Sequence, residues 1–205
     1  MSTVVAPAQT HEENKPQSRS IGWYGMVFFI SSEAVFFANL IAVYLYLLVR
    51  AGQWPPKGTP ASAELDIPLA VVNTIILLSS SIPMHYAGRS IARGNKRGLT
   101  IGLILTIILG ATFISIQLYE YVNNAFGPST GVFGSVFYTL TGFHGAHVTV
   151  GLLFLTVCFV RSLRGDFSKD HHFAVQAAEM YWHFVDFVWV FIVSLVYFLP
   201  LALAH

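Results

Sequence analysis

Five apolar runs, each long enough to cross a lipid bilayer, constrain this chain more than any other feature, because a backbone surrounded by lipid must satisfy its own hydrogen bonds. Crossing a hydrocarbon core of ~30 Å takes about 20 residues of helix. The runs cover about residues 23–49, 67–86, 99–121, 132–160 and 178–199 of the 205 in the chain. Only helices or closed barrels complete their backbone pairing without water. A barrel would show short alternating segments, whereas stretches such as Leu99 to Gly110 are unbroken. The composition agrees: 55% of residues are hydrophobic and 10% charged, against the roughly one-quarter charged in soluble domains. The expectation is an all-α polytopic membrane protein, a bundle of five transmembrane helices spanning 22–205 behind a polar tail, 1–21.

Lysine and arginine set the orientation. Lys15, Arg19, Arg89, Arg93, Lys96, Arg97, Arg161, Arg164 and Lys169 fall on one side of the five crossings, and Arg50 and Lys57 on the other. This places the N-terminus in the cytoplasm and His205 outside. The net charge of +1 and the scatter of the basic residues argue against a nucleic-acid partner. The tail, with Glu12, Glu13 and two prolines, reads as disordered and has neither the apolar core of a secretory signal nor the acid-poor character of a transit peptide. A bacterial membrane follows, plasma membrane or thylakoid. Cys158 stands alone inside the fourth run, which excludes disulfides and thiolate-held metal clusters within the chain. Gly98 and Gly102 form a small-xxx-small pair of the kind that lets two helices approach closely. Turn residues separate the runs, and the longest connections, about 50–66 and 161–177, are too short for a soluble domain.

Ionisable residues inside the runs carry the functional information, since each is costly in lipid. Glu33 lies near the bilayer midplane, with Ser32 and Asn39 flanking its face of the helix and Tyr44 further out. It must be neutral, paired or turned toward protein, and it serves either as a hydrogen bond between helices or as a proton-linked or interface group. Thr106, Gly110, Phe113, Gln117 and Glu120 share one face of the third helix, which makes Gln117 and Glu120 neighbours. His144, His147 and Gly151 share a face of the fourth; Glu179, Trp182, His183 and Asp186 share one of the fifth. Three imidazoles and a carboxylate from two helices suit a divalent ion or a haem. The same residues suit tight packing with cross-helix hydrogen bonds, and His183 and Asp186 are spaced to bond each other.

A set of strings then resembles a known family: Ser32-Glu33 with Phe36-Phe37, Trp54-Pro55-Pro56, Asn73-Thr74 with Leu77-Leu78-Ser79, Gln117 with Glu120-Tyr121, Gly142 to Val148, His171-His172-Phe173, and Tyr181 to Trp189. Their content and order, from about Trp23 to Phe198, closely resemble subunit III of the haem–copper oxidases. The resemblance implies an accessory subunit of a proton-pumping terminal respiratory oxidase that reduces oxygen to water, in a hetero-oligomer with subunits I and II and with membrane lipids. It implies no catalytic residue, metal or cofactor in this chain, haem and copper belonging to the partner subunits. Asn73, Gln117, Glu120, His144, His147, His183 and Asp186 become helix-packing polar residues, and Glu33 matches the family's intramembrane glutamate, associated with proton uptake and with contact to subunit I. Arg161, at the cytoplasmic end of the fourth helix, is a candidate for an anionic lipid headgroup or an orientation-setting arginine.

Seven-helix members of that family carry two further N-terminal helices enclosing a lipid-filled cleft. The 22 residues before Trp23 do not supply them, so the resemblance is to a short, five-helix bacterial form. The loop at His171 and the motif ending at Trp189 look closer to the cytochrome c branch than to quinol oxidases or nitric oxide reductases. A proton-coupled transporter built on Glu33 is the alternative from another class, but inverted repeats and broken helices are not evident.

Overall fold

A computed structural model describes residues 21–52, 54, 56 and 65–203. The polar tail, Lys57 with most of its loop, and His205 lie outside the described residues. The described residues are all helical or loop, without strands: α1 Ile21–Ala51, α2 Ile67–Ala92, α3 Lys96–Asn123, α4 Gly131–Arg164 and α5 Phe173–Val193, the last continued by a π-helical turn Ser194–Phe198 and a short α6 Leu199–Leu203. Five helices are long and apolar enough to cross a membrane, the fifth being Phe173–Phe198.

Each helix outruns the apolar run that predicted it. Hydrophobicity marks only the hydrocarbon-length segment, while the hydrogen-bond ladder continues through polar turns until a cap stops it. Thus α2 extends past residue 86 to Ala92, and α5 begins at Phe173, ahead of the apolar run at 178. The connection expected at 161–177 shrinks to residues 165–172. Caps account for several ends. The Asp66 carboxylate accepts from the Leu69 amide at 2.9 Å, and Asn95 Oδ1 accepts from the Gly98 amide at 3.0 Å. Gly165 closes α4 at φ 80°, in the left-handed region that glycine enters without steric penalty.

Two kinds of contact bring the helices together. Small residues permit the α2–α3 approach: a Cβ on Gly102 would fall 2.6 Å from the Pro83 carbonyl and 2.7 Å from the Ala87 Cβ, and one on Gly98 would strike Ser90. The small-xxx-small pair therefore marks a real interface. The second kind is the pair of indoles on α5. Trp182 lies between α3 and α4, where a Cβ on Gly110 would meet it at 2.6 Å and one on Gly151 at 3.0 Å. Its Nε1 donates to Ser80 Oγ of α2 at 2.9 Å. Seven residues later, Trp189 Nε1 donates to Thr74 Oγ1 of α2 at 3.0 Å. These indoles are wholly buried, and α5 touches α1, α2 and α4, so it is the hub of the bundle.

By contrast, α1 is peripheral. Its buried residues are Phe37, Tyr44 and Leu48, and the Tyr44 hydroxyl donates to the Leu195 carbonyl at 2.8 Å in the π-helical turn. A π turn displaces carbonyls from the regular ladder; here one is taken up by a neighbouring helix. An apolar groove of about 720 Å³ runs between α1 and α5, lined among others by Ile30, Phe37, Met180, His183 and Phe187.

Replacing Gly110 by valine is expected to expel Trp182 from its slot and lower stability by about 1–3 kcal/mol. Thermal unfolding of detergent-solubilised protein measures this, with Thr112→Val, on an exposed face of the same helix, as the control that should change little.

Candidate functional site

Glu33 stands in the middle of α1, twelve residues beyond its first, which at 1.5 Å per residue is ~18 Å along the helix. It does not face lipid alone: its Oε2 meets His147 Nε2 of α4 at 2.9 Å, and the two side chains are 25% and 17% exposed. Ser32 and Asn39, expected to flank it, turn instead to their own helix, bonding the carbonyls of Phe29 and Val35. Aromatic rings enclose the pair, with Phe37 4.8 Å and Phe36 6.2 Å from the imidazole.

The other imidazole nitrogen decides what this contact can be. His147 Nδ1 lies 2.7 Å from the Phe143 carbonyl oxygen, which only accepts, so Nδ1 carries a hydrogen. The contact at Nε2 then holds exactly one proton, whether it is counted as acid and neutral imidazole or as carboxylate and imidazolium. Both descriptions are net neutral, the condition an apolar medium demands. The geometry therefore builds a hydrogen-bonded acid–imidazole pair between two of the membrane-length helices.

His144 shares that helix and does something else. It is completely buried, stacked on Trp189 at 4.8 Å and edge-on to Phe113 at 5.8 Å, and neither ring nitrogen meets a partner among the described residues. It packs; it does not join His147. Asn73 is likewise buried and donates to the Phe113 carbonyl at 3.3 Å. Of the four residues weighed as a ligand set, His144, His147 and the His183–Asp186 pair thus lie in three separate environments and do not converge.

The expected direct bond between His183 and Asp186 is corrected by the structure. Ser81 of α2 sits between them: its hydroxyl donates to Asp186 Oδ2 and its oxygen lies 3.0 Å from His183 Nδ1. Neighbours three apart on a helix share a face but point outward side by side, and a hydroxyl from the facing helix completes the link. On its other side His183 Nε2 lies 3.8 Å from Glu179 Oε1, which is 2.9 Å from His85 Nδ1. Sequence reading passed over Ser81 and His85. The available signal was their i, i+4 spacing, which puts both on the face of α2 turned toward α5.

The third polar group follows the sequence closely. Gln117 Nε2 donates to Glu120 Oε2 at 3.0 Å, and the Tyr197 hydroxyl donates to Oε1 at 2.9 Å. Both oxygens of this buried acid are satisfied, so it ties α3 to the π-helical turn after α5. Tyr121 adds a bond to Thr141 of α4 at 2.7 Å. Arg161 is engaged within its own end of the bundle, its Nε 3.3 Å from Asp166 Oδ2 and its guanidinium 4.9 Å above the Phe167 ring.

Comparison with known proteins places this arrangement. The family model described as cytochrome c oxidase subunit III matches residues 5–200. Cytochrome c oxidase subunit 3 of Loxodonta africana is 39% identical over 179 residues, that of Homo sapiens 40% and that of Gallus gallus 41%, each match covering 85% of this chain and 68% of the relative. A match across nearly the whole five-helix bundle, including the helices that carry Glu33, His147 and Asp186, shows that the chain belongs to the cytochrome c oxidase subunit III family.

Proposed function

We propose that this chain is the accessory third subunit of a proton-pumping cytochrome c oxidase, in a hetero-oligomer with subunits I and II, and that it supports the stability and proton uptake of subunit I. The observation that carries this reading is the Glu33–His147 pair, an acid–imidazole contact of 2.9 Å between two helices long and apolar enough to cross a membrane. A group of this kind can shift its proton between carboxylate and imidazole while the pair stays net neutral, and release of that proton to a neighbour is balanced by uptake of another. Oxygen reduction itself is assigned to haem and copper in the partner subunits. His144 is clamped between rings, and Glu120 and Asp186 are engaged with neighbouring hydroxyls, which suits these groups to holding helices together.

The surface of α1 fits a role in assembly. Phe28, Phe29, Val35, Phe36, Val43 and Tyr46 are exposed along it, an apolar face for lipid or a neighbouring subunit. The lysine and arginine asymmetry supports an N-terminus on the cytoplasmic side. A quinol oxidase or nitric oxide reductase would use the same bundle. Copurification through this chain distinguishes them, because the visible spectrum and subunit masses of the partners differ.

Glu33→Gln retains shape and removes titration. The complex is expected to assemble at normal yield while proton uptake slows or turnover lifetime shortens, measured by oxygen consumption and proton release in reconstituted vesicles across a pH series. Unchanged turnover and uptake at every pH would refute the proton-linked role. Asp186→Leu leaves the Ser81 hydroxyl without its acceptor and loosens the link through it to His183, at a penalty of about 1–3 kcal/mol. Reduced yield of the assembled complex is expected on size-exclusion chromatography after detergent extraction.

A further inference from the structure

The geometry points to a redox-silent divalent cation site, suited to zinc, built by His85 of α2 with Glu179 and His183 of α5. Nothing in the oxidase reading requires it, and it stands on different residues from the Glu33–His147 pair. Two imidazoles and a carboxylate offer one ligand atom each, all within 4.8 Å of one another. Tetrahedral zinc takes nitrogen and carboxylate ligands at about 2.0–2.2 Å and commonly keeps a fourth position for water. The three side chains are 52%, 20% and 42% exposed, so none is locked in a packed core.

The surroundings prepare His183 for this role. Ser81 gives its only hydrogen to Asp186, so its oxygen can take part in the His183 contact only by accepting from Nδ1–H. That leaves the Nε2 lone pair free, and Nε2 is the atom turned toward Glu179, at 3.8 Å. A carboxylate acting through a hydroxyl on the far nitrogen of a ligating histidine is the arrangement that orients metal-binding imidazoles. The distance is also informative. At 3.8 Å the His183–Glu179 contact is too long for a hydrogen bond, yet lies within about half an ångström of the ~3.4 Å between two ligands of a tetrahedral ion.

Space and ligand chemistry agree with the assignment. Gly88, one turn beyond His85, leaves the room into which the Glu179 carboxylate projects, and a Cβ there would collide with it. His183 lies ten residues into α5, ~15 Å from its start, at a depth where uncompensated charge is costly. A hard ion such as magnesium is poorly matched to imidazole.

The test uses detergent-solubilised protein with whatever subunits accompany it, dialysed against buffered free zinc, with bound metal quantified by mass spectrometry. Wild-type protein is expected to hold about one more equivalent than His85→Ala or Glu179→Gln. Ser81→Ala is expected to weaken binding by about 10–100-fold. Zinc K-edge absorption on wild-type protein supplies a measurement that does not depend on variants folding, and should show two imidazole nitrogens at about 2.0–2.1 Å. No zinc uptake at micromolar free ion, equal stoichiometry and affinity in all variants, or a shell without imidazole would each overturn the assignment. Loss of oxidase activity in Glu33→Gln bears on the functional reading alone, whereas metal content bears on this site alone.

Discussion

Polar groups inside lipid must find partners within the protein, and the structure is organised around meeting that requirement at a few inter-helix contacts. Backbone amides are satisfied within each helix. Side chains are not, so several buried acids, amides and indoles become ties between helices. Glu33 joins α1 to α4, Asp186 joins α5 to α2 through Ser81, and Glu120 joins α3 to the turn after α5. Without a hydrophobic drive between helices in a bilayer, such hydrogen bonds and close van der Waals packing determine the arrangement.

The ties concentrate on α5. Trp182 and Trp189, seven residues apart, bury large rings among α3, α4 and the other helices while their N–H groups reach Ser80 and Thr74 of α2. Apolar body and polar handle are thus used together. The glycines at 110 and 151 exist in this scheme as the empty halves of the Trp182 slot. With the core so specified, α1 remains at the edge, held by Tyr44, the Glu33 pair and rings around Phe37, its outer face left apolar.

Residue patterns made some of the site legible. Gln117 and Glu120 are three apart on one helix, and their hydrogen bond followed from that spacing. Gly98 and Gly102 announced a close approach that the structure places against α2. Periodicity could not say which helix each polar face would meet. His144 and His147 share an α4 face by spacing, yet one is stacked on Trp189 of α5 and the other reaches Glu33 of α1, because two different helices pack against that face. Ser81 was invisible as a linker for the same reason: a hydroxyl in an apolar run acquires meaning only from what packs opposite.

Five membrane-length helices, the family, and the identity of the costly residues were decided by composition, run length and motif order, since the energy of placing a residue in lipid depends on the residue and its depth. Which acid meets which base, that Ser81 stands between His183 and Asp186, and that His85 and Glu179 converge were decided only when the helices packed. Those contacts depend on distances of a few ångströms between segments far apart in the chain, and local sequence carries no term for them.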